Sequence, residues 1–361
     1  MKTKVEHKNS ELVSIFKKGL GWHTARIKFL TGIITAMIKM QTVSFVKLSQ
    51  AFDSSAKVES NLRRIQRFFA EFIISQDVIS KLLFSMLPCK GSYRLCLDRT
   101  NWKFGQTNIN ILMLSVAYNG VAFPLIWKLL PKRGNSNCQD RAELIDIYLR
   151  LFGIQSIASL MADREFIGED WFDKLILHNV PFYLRLRENL KVRVPGKGIK
   201  KVFWLFNDLP LNQPRAYDKI ISYRGREFFL CGVKILNKQH KIEFVIIASF
   251  KRDFSALNEY KHRWQIETMF RAFKTSGFNL EDTHLQDIDR LSKLIAVVSI
   301  AFVWVHNVGI FLNDKIKKIE IKKHGRRAMS LFKYGLIFTA HALLNRNSRD
   351  YNICLNVLSC T

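Results

Sequence analysis

Three acidic residues stand where phosphoryl chemistry would need them. Asp98 closes the apolar run Leu95-Cys-Leu-Asp, and Asp163 closes another, Leu160-Met-Ala-Asp. Glu267 lies within Tyr260-Lys-His-Arg-Trp-Gln-Ile-Glu-Thr-Met-Phe-Arg-Ala-Phe-Lys274. Transfer or hydrolysis of a phosphodiester requires the charge on the scissile phosphate to be neutralised and the nucleophile to be deprotonated; two divalent cations held by a few carboxylates supply both. Carboxylates suit Mg2+, which prefers hard oxygen and keeps several waters for its substrate. Taken singly, either aspartate reads first as a structural carboxylate at a strand end. Two strand-end aspartates and a helix-borne glutamate together can converge on one metal pair.

The neighbours of the glutamate add to this. At about 100° per residue, Tyr260, Arg263, Glu267 and Lys274 fall within about 60° of one another on a helix. One face would then present a phenol, two cations and a carboxylate. A solvated amphipathic face shows charges at the same spacing, so the stripe alone leaves both readings open. Cations within a turn or two of a metal-binding glutamate are well placed for the adjacent phosphate, and Arg271 on the same segment joins them as a DNA-contact candidate. Arg164, next to Asp163, reads as neutralising local charge or contacting phosphate. The remaining acids near these motifs, Asp140, Glu165, Asp170 and Glu281, read as surface pairs or helix-start contacts. His262 and His284 read as structural or DNA-facing, because a two-metal site needs no histidine base.

The elements that must hold these residues are legible in the periodicity. Short helices run from about Trp22 to Phe72, one carrying the basic run Asn61-Leu-Arg-Arg-Ile-Gln-Arg67, whose Arg63, Arg64 and Arg67 read as DNA contacts or as a solvent-facing helical cap. From Ser92 the pattern turns to strands at Tyr93 to Asp98, Ile109 to Tyr118 and Val121 to Leu130, an antiparallel meander. A helix at Asp140 to Leu151, a strand at Ser159 to Ala162, a further helix and a strand at Phe182 to Arg187 complete a mixed α/β sheet. Residues from about 188 to 250 are β-rich and read as an insertion; from Ser255 the chain is helical nearly to its end. The expected organisation is a helical N-terminal DNA-contacting domain over 1–88, an α/β catalytic domain over 89–312 and a basic helical C-terminal region over 313–361.

Charge names the class of partner. Against 57 Lys and Arg stand 30 Asp and Glu, a formal net charge of +27, spread along the whole chain. Such a balance expects a polyanion, and nucleic acid fits better than a membrane, whose ligands concentrate charge in one helix or juxtamembrane cluster. The cysteines Cys89, Cys96, Cys138, Cys231, Cys354 and Cys360 form neither a C-x-x-C pair nor a zinc spacing, which suits reduced thiols. The opening Met1 to Lys18 lacks the apolar stretch of a signal peptide, so a cytoplasmic location is expected. Leu294 to Leu312 approaches the length of a membrane span, but His306-Asn307 interrupts it, and the expectation is a helix buried behind the catalytic sheet.

The chain resembles the insertion-sequence-4 group of bacterial DDE transposases, whose signature Y-(2)-R-(3)-E-(6)-K is met without a gap by Tyr260, Arg263, Glu267 and Lys274. The resemblance extends to Leu97-Asp-Arg-Thr-Asn-Trp102, Ala162-Asp-Arg-Glu-Phe166, Leu62-Arg-Arg-Ile-Gln-Arg-Phe68 and Lys323-His-Gly-Arg-Arg-Ala-Met-Ser-Leu-Phe-Lys333. It implies a ribonuclease-H-like catalytic domain carrying a β insertion. It also implies Asp98, Asp163 and Glu267 as ligands of two Mg2+ ions, with Mn2+ able to substitute, and Tyr260, Arg263 and Lys274 as phosphate contacts. The reaction implied is cleavage at the terminal inverted repeats of a transposon, a DNA hairpin, its reopening, and strand transfer into double-stranded target DNA by a homodimer in a paired-end complex. Hairpin formation in that group needs a flipped base stacked on an aromatic of the β insertion. Trp204 is the candidate, with Phe203, Tyr223, Phe228 and Phe229 as competitors. Two other readings stay open: a metal-dependent nuclease on the same fold, and a non-catalytic DNA-binding derivative.

Overall fold

Apolar residues at helical spacing organise the first part of the chain into α1 (Lys2–Leu20), α2 (Thr24–Met40), α3 (Phe45–Gln50), α4 (Val58–Glu71) and α5 (Gln76–Ser85). Helix α4 shows the rule: Asn61, Ile65, Phe68 and Phe69 are buried at spacings of three to four residues, which turns Arg63, Arg64 and Arg67 outward. The computed structural model describes residues 2–104, 106–131, 134–323, 325–345 and 348–359. His324 of the late basic motif and Cys360 lie outside the described residues.

The strands follow as β1 (Tyr93–Phe104), β2 (Thr107–Tyr118) and β3 (Val121–Leu129), then α6 (Cys138–Phe152), β4 (Ile157–Ala162), α7 (Glu169–Leu177) and β5 (Phe182–Arg185). Next come β6 (Lys191–Val194), β7 (Gly198–Lys201), β8 (Arg215–Ala216), β9 (Ile221–Tyr223), β10 (Arg226–Leu236) and β11 (Ile242–Ser249). The chain ends through α8 (Ala256–Lys261), α9 (Gln265–Lys274), α10 (Ile288–Phe311), α11 (Leu331–Asn345) and α12 (Ser348–Ser359). Two compact units result. One comprises Met1–Cys89, Trp102–Ile109 and Met269–Thr361; the other comprises Lys90–Asn101 and Asn110–Thr268.

The second unit is built on a mixed sheet of order β3-β2-β1-β4-β5-β11-β10-β9-β6-β7, with β8 also on β10. β4 runs parallel to β1 and to β5, whereas β2–β3, β5–β11 and β10–β11 are antiparallel. Leu95, Cys96 and Leu97 on β1 and Leu160, Met161 and Ala162 on β4 are all fully buried. A parallel strand covered on both faces reads as a continuous apolar run rather than an alternation, which is why each aspartate follows such a run. Strand β11 departs from expectation. It belongs to the segment read as an insertion, yet it pairs directly with β5 through Ile247–Arg185, Ala248–Leu184 and Ser249–Tyr183. Turn residues bound a strand locally but do not specify which distant strand it joins.

The first unit is a helical assembly centred on α10. The helix is apolar enough to cross a membrane, with a mean hydropathy of 2.2, yet 89% of that stretch is buried inside the protein. Its main partners are the helices α11, α12, α2, α5 and α4. Its apolar surface runs all round, so it must be covered on every side. Two polar side chains along it find carbonyls within the unit, Asn307 donating to that of Met86 at 2.7 Å and Trp304 to that of Cys354 at 2.9 Å, while Ser299 Oγ and Asn307 Oδ1 are buried without a hydrogen-bond partner. Burial lowers the pKa of His306 to about 3 and keeps it neutral. Where α10 crosses α11, Gly309 and Gly335 let the backbones touch: a Cβ on Gly335 would meet the Val305 carbonyl oxygen at 1.8 Å. The region after α10 is not continuously helical as expected. A short π-helical turn (Leu312–Ile316) ends it, and helix resumes only at Leu331.

Candidate active site

The parallel pairing of β1 with β4 brings Leu97 opposite Ala162, so Asp98 and Asp163 stand side by side. Asp163 follows the end of β4 as expected, whereas Asp98 does not end its strand but lies midway along β1, which continues to Phe104 because β1 goes on past β4. Carboxyl ends of parallel strands are where open α/β sheets bind their ligands. Each aspartate is oriented by the next peptide: Asp98 Oδ1 accepts the Arg99 N–H and Asp163 Oδ1 the Arg164 N–H, both at 2.8 Å.

The signature segment closes on them. Arg263 donates through Nη1 to Asp98 Oδ2 and through Nη2 to Glu267 Oε1, each at 2.8 Å. The Tyr260 hydroxyl donates to Asp163 Oδ1 at 3.2 Å. One guanidinium thus links the first and third acids, and one phenol holds the second. The segment is not the single helix its spacing suggested: α8 ends at Lys261, a 3-10 turn spans His262–Trp264, and α9 starts at Gln265. A 3-10 turn advances more per residue than an α-helix. Arg263 is only 5% exposed and Tyr260 6%, while Trp264 is 61% exposed.

Burial governs the electrostatics. It lifts the Asp98 carboxyl to a pKa of about 6, against the pull of the Arg263 guanidinium and the Arg99 N–H, with Glu165 and Asp163 adding to the rise. For Arg263, burial works against the charge, but Tyr260, Asp98, Asp163 and Glu267 outweigh it and the guanidinium stays ionised. Burial also raises the Tyr260 phenol, which therefore remains a proton donor. Asp98 is a carboxylate that needs a cation, and Arg263 supplies it. With the guanidinium between Asp98 and Glu267, no three His, Cys, Asp or Glu side chains among the described residues stand close enough together to hold a metal ion. By chemistry the three carboxylates offer the hard oxygen that a divalent cation prefers, and a positive group already bridges two of them.

Residues 90–304, more than half of the chain, match the model of the transposase DDE domain family. The chain belongs to that family. It is therefore a DNA transposase, a metal-dependent enzyme that cleaves and transfers DNA. No curated protein matches the sequence. Among solved structures it is similar to a piggyBac transposase in a synaptic complex with hairpin DNA, with a TM-score of 0.47 and 11% sequence identity, over 97% of this chain and 82% of that one.

Around the three carboxylates, sequence reasoning missed a brace. Arg99 donates through Nε and Nη2 to the two oxygens of Glu165, both at 3.1 Å, and through Nη1 to the Gly134 carbonyl at 2.7 Å and Asn110 at 3.2 Å. Arg141, buried over the Phe166 ring, donates to the Ser136 carbonyl at 2.6 Å and to that of Glu165 at 3.2 Å. These contacts clamp the loop that carries Asp163. The available signal was the symmetry of the two motifs, Asp98-Arg99 and Asp163-Arg164-Glu165, in which the cation after one acid pairs with the anion after the other. Of the other acids, Asp140 forms a capping box with Asn137, Asp170 lies in the first turn of α7, and Glu281 pairs with Lys274 at 2.9 Å.

The remaining candidates are placed as follows. Lys274 ends α9 in the helical unit, with its ammonium 5.2 Å from the centre of the Trp102 ring. Arg271 is exposed one turn earlier. Arg164 is exposed and lines a cavity of about 570 Å³ with Glu165, Arg187, Glu188 and Asn189. Arg64 lies over the Phe29 ring at 4.9 Å, and Arg67 stands 3.9 Å from Glu71. In the β-rich segment Trp204 sits on a 3-10 turn (Val202–Phe206) and is 62% exposed, whereas Phe228 is buried against Phe172. Phe203, Tyr223 and Phe229 are half-buried.

Proposed function

We propose that this transposase is of the insertion-sequence-4 type, with a ribonuclease-H-like catalytic domain, and that Asp98, Asp163 and Glu267 are its catalytic acids. The observation that carries this reading is the closure of Arg263 and Tyr260 on those three carboxylates. A solvated amphipathic face, the other explanation for the stripe, would leave these side chains in water. On this reading the cut-and-paste reaction runs through a DNA hairpin at the terminal inverted repeats and ends in strand transfer to a duplex target.

Asp98, Asp163 and Glu267 would hold Mg2+, as two ions, and Mn2+ would substitute. When bound, the ions supply positive charge at the scissile phosphate and ease deprotonation of the attacking water or 3′-OH. The protein's own residues do the rest. Tyr260, kept protonated by burial, fixes the orientation of Asp163 by its hydrogen bond. Arg263 would offer its two N–H groups to a phosphate oxygen pair, a geometry guanidinium suits better than ammonium. Lys274, Arg271 and Arg164 add contacts to the backbone, and the outward arginines of α4 make the N-terminal helices a DNA-contacting domain. Trp204, the most exposed of the candidate aromatics, offers the stacking surface for a flipped base. Synapsis of two ends calls for a homodimer on DNA.

The test uses purified protein, divalent metal and DNA ends bearing the inverted repeats, supplied intact or already cleaved to a free 3′-OH. The expected result is joined product from both, and none from the Asp98→Ala protein. Cleavage without joining would make the protein a nuclease. Cleavage unchanged in Asp163→Ala or Glu267→Ala would overturn the site.

A further inference from the structure

Between the end of α10 and the start of α11 lies a segment that the acid site does not use. From Asp314 to Ser330 every described residue is exposed except the half-buried Ile319. Lys315, Lys317, Lys318, Lys322, Lys323, Arg326 and Arg327 face only Asp314 and Glu320 as anions of the same segment. A charge run of this kind is often a solvated tail, but two features set this one apart.

The backbone is ordered rather than trailing. Ile321 and Arg327 form an antiparallel bridge, Lys322 N–H donates to the Arg326 carbonyl at 2.9 Å, and Ala328 N–H donates to that of Glu320 at 2.8 Å. Gly325, at φ +77°, takes the left-handed conformation that turns the ribbon. Its base is pinned by Ile319 N–H to Asn313 at 3.0 Å and by the Tyr334 hydroxyl to the Lys317 carbonyl at 3.3 Å. The second feature is apolar. Ile321 in the ribbon is 57% exposed and Ile316, at the end of the π-helical turn before it, 59%, so neither is spent on a core. A two-stranded hairpin without a covered face is marginal in water.

We propose that this hairpin is a DNA-binding arm that lies along a groove of duplex DNA and contacts backbone phosphates without reading sequence. Its charge is complementary to a polyanion, and a two-stranded ribbon is of a size that a DNA groove admits. Lysines act as point charges, which suits phosphate contact better than base readout. The exposed Ile316 and Ile321 supply the apolar contact with sugars or base steps that groove-binding ribbons use.

Binding of the full-length protein to a duplex oligonucleotide is measured against salt concentration in EDTA, so the result does not depend on the acid site. Lys322→Ala/Lys323→Ala should weaken binding and make the slope of log K on log salt shallower by about one per lysine. Lys322→Arg/Lys323→Arg should restore the slope. Footprinting of lysine acetylation on the unaltered protein, with and without the duplex, should show Lys322 and Lys323 protected, and this holds even if the variant misfolds. An unchanged slope in a folded variant, failure of the arginine pair to restore it, or absence of protection would overturn the proposal. Protection by vesicles of anionic lipid but not by DNA would overturn it equally.

Discussion

The acid site and the basic hairpin use the same side-chain chemistry to opposite ends. Arg263 is 5% exposed and shared between two carboxylates, whereas Lys322, Lys323 and their neighbours stand in solvent. A buried charge must have a partner, because the cost of leaving water is recovered only through close, well-formed contacts. An exposed charge is screened and needs none. Cations in the sheet unit therefore set geometry, and those of the hairpin set affinity. The contrast can be broken at several points.

The largest effect is expected on chemistry. Asp98→Ala or Glu267→Ala should lower strand transfer by about 10³-fold or more, on the order of 4 kcal/mol of lost transition-state stabilisation. Circular dichroism should show the fold retained. Next in size is Arg263→Ala, which leaves Asp98 buried without its cation and should cost about 3–5 kcal/mol in denaturant unfolding. If Arg263 stands where a metal cation would, Mg2+ should raise the melting temperature of this variant more than that of the parent protein. An equal rise would break that equivalence.

Packing in the helical unit offers a control that involves no charge. Gly335→Ala places a methyl group against the Val305 carbonyl and should destabilise by about 1–3 kcal/mol, without changing the metal response. The smallest effect belongs to the exposed ion pairs that tie β10 to α7. Arg224 and Arg226 hold the Glu169 carboxyl below its ordinary pKa, and Arg226 does the same for Asp173. With the folded values depressed, this contribution is present above about pH 4 and fades as pH falls through the lower folded values. Hydrogen exchange in β9 and β10 should accelerate there, with little change in global stability. A large global loss would mean that exposed pairs matter more in this protein than the contrast allows.

How much was legible follows from how local each signal is. The runs before Asp98 and Asp163 announced strands, but the parallel pairing of β1 with β4 was not among the expectations, which placed the first run in an antiparallel meander. The spacing of Tyr260, Arg263 and Glu267 announced a shared direction. Hidden from view were the 3-10 turn at His262–Trp264, which sinks Arg263, the pairing of β11 with β5, and the packing of α10 among helices. Each of these depends on which distant residue arrives, and periodicity carries no information about that. The Arg99–Glu165 brace joins residues 66 positions apart, so neither motif alone discloses it.

By itself, the sequence determined which residue types were available and on which local element each would stand: the three acids, the cation and phenol beside the third, and the basic run after α10. Only the tertiary structure decided that Arg263 sits between Asp98 and Glu267 and that the basic run turns back on itself in solvent. The physical reason is that a side chain's charge is a property of its type, whereas what that charge costs, and which partner it must take, is set by burial, and burial is a property of the whole fold.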